Sequence, residues 1–419
     1  MCRLRGASQP ILAGVVAALV GFGGSFAIVL AGLHAIGADD AQAASGLLVV
    51  SMAMGACGVL LSWRLRMPVS VAWSTPGAAL LVAAGHVHGG YAAAIGAFVL
   101  AGALVILAGV WRPLARVIQA VPHALANALL AGVLLSVCLA PVHAVVDETA
   151  LAVPVVLTWL VLLHVARRWA VPGALVAAAV GVALDPVAGA GPAHLAPQLT
   201  LVAPHLDLGT LVGLGLPLFV VTMVSQNVAG LSVLQTYGYR PPVRSLMTVT
   251  GAASVAVAPL GGHGINLAAI TAALAASPDA DPDPGRRWIA AAANGAVYLV
   301  LGLSAGLATA LLAASPPVLI EAVAGLALLG TLGAALKAAT AADEQREAAM
   351  VTFAISASGV TVGGISAPFW GLLAGWLFLA AQRTRSGRPT DVADQRPPPT
   401  MARSPSRSAV QSSSPTRAR

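Results

Sequence analysis

Charge is what this chain has least of. Of its 419 residues only 9% are Asp, Glu, Lys or Arg, against 58% hydrophobic, and the mean hydropathy is +0.87. No soluble domain buries that much apolar side chain, so the composition points to a chain that crosses a bilayer many times. Cysteine is scarce too: Cys2, Cys57 and Cys138 lie near or within apolar segments, at spacings that fit neither a disulfide framework nor a metal site. H-E-x-x-H, the Walker loop, G-x-S-x-G and Cys-x-x-Cys are all missing. Their absence argues against an enzyme and gives no reason to expect a cofactor or metal.

What is present is a succession of apolar segments. About fourteen candidate spans can be drawn. The first seven are 10–33, 43–63, 68–84, 91–110, 121–141, 151–165 and 171–184. The second seven are 208–235, 245–259, 260–276, 288–314, 318–336, 348–362 and 367–382. Arg3 and Arg5 precede the first span as in a signal peptide, but 10–33 is too long for a cleaved apolar region and reads as a span. The chain then divides into residues 10–184, a Pro-, Gly- and His-containing link, residues 207–382, and a Pro/Ser/Thr/Arg-rich tail over 383–419 expected to be disordered.

The net charge of +7 invites a nucleic-acid reading, but its distribution removes it. With the N-terminus inside, all 22 Lys and Arg fall on the cytoplasmic side of these spans, the tail included. The opposite side carries Asp39, Asp40, Asp147, Glu148, Asp185 and Asp207 and no basic residue. The positive-inside rule accounts for the pattern and predicts a multi-pass plasma (inner) membrane protein with both termini cytoplasmic.

Two segments do not read as continuous helices. In 67–81, Pro68, Val69 and Val71 favour an extended entry, and Ser74-Thr75-Pro76 then spells a helix start. The helix to about Ala84 has room for ~11 residues, or ~16 Å, half of a ~30 Å hydrocarbon core. In 259–276 the run Gly261–Gly264 cannot hold a helix, Asn266 is the expected N-cap, and 267–276 is again half-length. These are the third span of each half. Halves with an odd number of crossings are related by inversion, so both half-helices start at mid-membrane from opposite sides. The resulting fold class is all-α, about fourteen spans in seven-plus-seven inverted repeats, with broken third and tenth spans. Paired interruptions of this kind point to a transporter binding site. Two helix N-termini offer free N–H donors and partial positive charge to an anion without Lys or Arg. The alternative is a pair of kinked helices with structural Pro and Gly.

The candidate substrate contacts are Trp73, Ser74 and Thr75, Gly264, Ile265 and Asn266, with Gln226 and Asn227 from the eighth span. A buried carboxamide also serves as glue between helices, and Trp73 could simply pack. Glu321 and His263 are the candidate proton carriers; a snorkelling surface acid and a structural histidine are the respective alternatives.

Three stretches carry a resemblance: P-V-S-V-A-W-S-T-P-G-A-A-L-L, S-Q-N-V-A-G-L-S-V-L-Q-T-Y-G-Y-R-P-P and G-G-H-G-I-N-L-A-A-I-T-A-A-L. They resemble the bacterial benzoate:proton symporters of the BenE type, over essentially all of residues 10–382. More distantly, the layout is similar to the uracil-permease and sulfate-transporter fold. That resemblance implies a core domain of spans 1–4 and 8–11 and a gate domain of spans 5–7 and 12–14. Nucleobase carriers of that fold have acids in spans 8 and 10. Here Gln226, Asn227 and the run 261–266 stand in those places, which suits an anion better than a nucleobase. The implied activity is import of an aromatic carboxylate with protons. The alternatives are a nucleobase or inorganic-anion carrier of the same fold and an uncoupled anion channel. The expected partners are the substrate, protons and the lipid bilayer, with a homodimer left open.

Overall fold

The computed structural model describes residues 8–111, 113–114, 122–184, 199–313, 317–363 and 365–386. The expected link and tail fall largely outside the described residues, as do Arg3, Arg5, Arg112 and Arg116.

The first apolar run makes two helices rather than one, α1 (Ser8–Gly23) and α2 (Phe26–Ala35), parted by a turn at Gly24 and Ser25. The next helix, α3 (Asp40–Leu65), starts with a capping box in which Asp39 accepts from the Gln42 amide and the Gln42 side chain accepts from the Asp39 amide. It ends where Arg66 turns left-handed and lays its guanidinium 4.3 Å from the Trp288 ring centre. The strand β1 (Val71–Trp73) and helix α4 (Thr75–Ala84) follow. The rest of the first half is α5 (Gly90–Val110), α6 (His123–Asp147), α7 (Thr149–Val165) and α8 (Ala170–Leu184).

Asp207 caps the next helix, α9 (Leu208–Thr236). The Thr210 amide hydrogen bond at 2.8 Å and, secondarily, His88 hold its carboxyl below the usual carboxylate range. Two π-helical turns interrupt α9, at Leu211–Gly215 and at Met223–Val228. Then come α10 (Val243–Val257), strand β2 (Ile265–Leu267), α11 (Ile270–Ala276), α12 (Trp288–Gly302), α13 (Ala305–Ala313), α14 (Pro317–Ala339), α15 (Arg346–Ala357) and α16 (Ala367–Ser386).

Among the described residues, seven segments are long and apolar enough to cross a membrane, and four further apolar helices are shorter, at 10–17 residues. The described residues are mostly helical, and the two strands among them pair with each other. α12 packs along α1 and α3, and α10 along α5; α14 and α15 pack along α6, and α7 along α8. α2 packs against α3, α4 and α14, and α4 also against α6 and α9.

Three expectations need correction. The span at 288–314 breaks after Gly302, where the Ser304 hydroxyl donates to the Leu301 carbonyl and competes with the helix ladder. The span at 348–362 is helical only to Ala357. Asn266 is not an N-cap: it lies inside β2, and α11 begins at Ile270 with Ala269 before it. The reason is tertiary. β2 finds its backbone partners in β1 and in the side chains of Ser254 and Asn227, so the chain stays extended past Asn266.

Candidate substrate site

β1 and β2 run antiparallel, with Val71 opposite Leu267, Ala72 opposite Asn266 and Trp73 opposite Ile265. Backbone at membrane depth must find its partners inside the protein, and four amides of the strand pair and its flanks do so. The Ile265 amide donates to the Ser254 hydroxyl at 2.8 Å, the Leu267 amide to Asn227 Oδ1 at 2.9 Å, and the Ala268 amide to the Ser70 carbonyl at 3.0 Å. The Ser74 amide donates to the Gly264 carbonyl at 3.3 Å. The Asn266 amide is oriented by its neighbours: its oxygen accepts from the Ser74 amide at 3.1 Å, and its nitrogen donates to the Leu267 carbonyl at 3.0 Å.

Ser74 ends β1 and starts α4. Its hydroxyl accepts from the Gly77 amide at 3.0 Å and sits 2.9 Å from the Thr222 hydroxyl on α9. Pro76 follows in the first turn, where its missing N–H costs nothing. The sequence signal for a helix start inside the membrane therefore becomes an N-terminus held on two sides.

Beside this frame lies a cavity of about 360 Å³. α1 and the turn after it give Val20, Gly21, Gly24 and Ser25; β1 and α4 give Ala72, Trp73, Thr75 and Pro76; α9 gives Ser225 and Gln226. Ala268 and Ala269 come from the link between β2 and α11, Thr271 from the first turn of α11, and Tyr298 from α12. Leu130 and Leu134 of α6, Val171 of α8, and Ala327, Leu328 and Thr331 of α14 complete the wall. None of these lining side chains is charged. Trp73 is 2% exposed, and its indole N–H donates to the Ser25 hydroxyl at 3.1 Å. Its ring lies between Phe22 and Tyr298, at centroid distances of 5.5 and 6.1 Å. The volume and the mix of aromatic wall and few polar groups suit a small organic ligand.

The expected residues thus divide. Trp73, Thr75 and Gln226 line the cavity. Ser74, Asn227 and Asn266 are its frame. Asn227, 0% exposed, has its amide nitrogen 3.3 Å from the Met223 sulfur and its oxygen on β2, so the two neighbouring carboxamides do different work. The π-helical turn that carries Ser225, Gln226 and Asn227 permits this split; such turns recur at functional sites. His263, Gly264 and Ile265 line a separate space of about 10 Å³ with Ser254 and Thr222. His263, 1% exposed, has Nε2 at 3.2 Å from the Ser74 carbonyl. That oxygen can only accept, so Nε2 carries the proton and Nδ1 holds a lone pair with no partner among the described residues. Glu321 is exposed near the start of α14 and does not line the cavity.

Sequence reasoning missed Gly21, Gly24, Ser25, Thr271 and Tyr298. G-F-G-G-S at 21–25 was the available signal for a break in the first span. Tyr298 had none, because its role depends on α12 lying against α1.

A family model described as benzoate membrane transport protein matches residues 7–381. An inner membrane protein of Escherichia coli, YdcO, is 39% identical over 366 residues, covering 87% of this chain and 93% of the relative. A benzoate membrane transport protein of Acinetobacter baylyi is 30% identical over 370 residues, again 87% and 93%. Two solved structures share the fold. The transmembrane domain of a cyanobacterium bicarbonate transporter, BicA, aligns at TM-score 0.57 and 17% identity, over 89% of this chain and 98% of that one. A murine Solute Carrier 26 family anion transporter in the inward-facing state aligns at TM-score 0.57 and 13% identity, over 90% and 68%.

Proposed function

The chain belongs to the benzoate membrane transport protein family, and we propose that it is a secondary transporter importing benzoate or a similar aromatic carboxylate by proton symport. The observation that carries this reading is the uncharged cavity beside the N-terminus of α4. A carboxylate there meets the positive end of a helix dipole in a low-dielectric setting, which strengthens the attraction. Gln226 adds a side-chain donor, and Trp73 and Tyr298 make part of the wall aromatic.

In this reading the chain makes fourteen spans as inverted repeats over 10–184 and 207–382. Spans 1–4 and 8–11 form the core and spans 5–7 and 12–14 the gate. Both sets contribute walls to the cavity, so movement of one past the other would alternately open it to the two sides. The basic loops face the cytoplasm. In a cysteine-free background, single cysteines at Ala38 and Arg286 should label from opposite faces; labelling from one face removes the inverted repeat.

His263 is the group best placed to carry the coupled proton, since its Nε2 lies 3.2 Å from the Ser74 carbonyl at the start of α4 and its Nδ1 has no partner among the described residues. The test is radiolabelled benzoate uptake into proteoliposomes with an imposed inward proton gradient. Acid outside should drive accumulation in the wild type, His263→Gln should lose the pH-driven component, and Glu321→Gln should keep it. Uptake indifferent to the gradient overturns symport. Gradient-driven uptake that survives both substitutions moves the proton to the substrate carboxylate or to another group.

A further inference from the structure

The polar groups of the cavity are not all gathered where a carboxylate would bind. α4 leaves the strand pair at the Trp73 end, whereas α11 leaves it at the Leu267 end, opposite Val71. The starts of the two helices therefore lie beyond opposite ends of the pair. With ~3.3 Å per strand residue, their separation is on the order of 10 Å. A single carboxylate cannot bridge that distance, whereas a substituted benzoic acid has about the length to approach both ends.

At the α11 end the cavity has a hydroxyl-bearing corner. Thr271 lines the cavity, is 8% exposed, and its hydroxyl has no partner among the described residues. Tyr298 lines the cavity beside it. Asn294 is 1% exposed, and its amide nitrogen also lacks a partner among the described residues. Both side chains close on Gly21 of α1. A Cβ built there would lie 2.4 Å from the Tyr298 hydroxyl and 3.6 Å from Thr271 Cγ2. A glycine is what lets α1 pass without filling the corner. A buried hydroxyl left unpaired is costly, and a ligand group that pairs with it recovers that cost. The corner bears no charge, so a neutral substituent suits it and a second carboxylate does not.

We infer that the physiological substrate is an aromatic monocarboxylate with a neutral hydrogen-bonding substituent, such as a ring hydroxyl, remote from the carboxylate, and that Thr271 is the residue that selects for it. The inference rests on the carboxylate reading of the α4 end. A site built to hydrogen-bond a substrate hydroxyl discriminates strongly against the analogue that lacks it.

The test compares benzoate, 3- and 4-hydroxybenzoate, and 3- and 4-methylbenzoate as competitors of radiolabelled benzoate in proteoliposomes. In the wild type at least one hydroxybenzoate should compete about tenfold better than the methyl analogue of the same shape. Thr271→Val keeps the volume and removes the hydroxyl; it should abolish that preference, so that hydroxy and methyl analogues compete alike. Thr271→Ser should restore it. Equal competition by hydroxy and methyl analogues in the wild type overturns the inference, whatever the variants do, and leaves benzoate transport standing. An equal loss for all ligands in Thr271→Val, not rescued by serine, assigns Thr271 a structural role and also overturns it. Failure of every aromatic acid, benzoate included, overturns the parent reading as well.

Discussion

Thr75→Asp should abolish benzoate transport while leaving the protein folded. Thr75 is the first residue of α4 and lines the cavity. A carboxylate in the first turn of a helix favours the helix, by about 0.3–1 kcal/mol, so stability should hold or rise. The same carboxylate would occupy the potential that the substrate needs. Like charges placed together in a desolvated site cost several kcal/mol, and each ~1.4 kcal/mol is tenfold in affinity, so binding should fall by about a hundredfold or more. Thr75→Ser is the neutral control and should transport. The ligand can be varied instead: benzamide keeps the ring and loses the charge, and should compete far more weakly than benzoate. Thr75→Asp transporting benzoate normally, together with equal competition by benzamide, would place the anion elsewhere.

Gly295→Val is expected to have the largest effect on the fold. At the crossing of α3 and α12 the backbones touch: a Cβ on Gly295 would lie 2.6 Å from the Gly55 carbonyl oxygen, and a Cβ on Gly55 would lie 2.6 Å from the Gly295 carbonyl oxygen. Small residues permit this approach in membranes, where packing rather than the hydrophobic effect joins helices. Backbone cannot rotate out of the way as a side chain can, so the cost should reach or exceed the upper end of the ~1–3 kcal/mol typical of overpacking. α12 also carries Tyr298 about one turn onward, so the cavity wall should shift with it. Thermal melting in detergent and the yield of monodisperse protein should both fall sharply. Gly330 of α14 has nothing within 4 Å of its built Cβ, and Gly330→Ala should be neutral or mildly stabilising. A melting temperature for Gly295→Val within a degree or two of wild type would show that the two helices can separate at little cost.

The α4 half of the site was legible because its determinants are local. An extended Pro68–Val71, a Ser74 cap and a Pro76 tolerated in the first turn lie within nine residues, and they produce β1 and α4 as expected. The β2 half was not, because its partners are distant in sequence. Asn266 looks like a cap until Ala72 is placed opposite it, and no local signal does that. Gln226 and Asn227 were found together as buried carboxamides. Only the π-helical turn decides that one lines the cavity and the other braces a strand. Glu321 stood out because acids are so rare in the spans, and rarity says nothing about direction; its side chain is exposed. The break at Gly24–Ser25 was overlooked because a hydropathy window averages across a two-residue turn.

A cavity wall without formal charge also has an electrical consequence. If the chain works as a carrier, none of the described side chains lining the cavity would drag charge through the field as the empty site turns from one face of the membrane to the other. Moving one elementary charge through the full field is worth about 2.3 kcal/mol per 100 mV. A bare carboxylate would carry that penalty inward against a negative interior; a carboxylate accompanied by one proton would not. In a one-to-one symporter both the loaded and the returning steps would then be nearly indifferent to voltage. The bilayer's voltage would drop out of the cycle, and concentration and pH differences alone would set how far the acid accumulates.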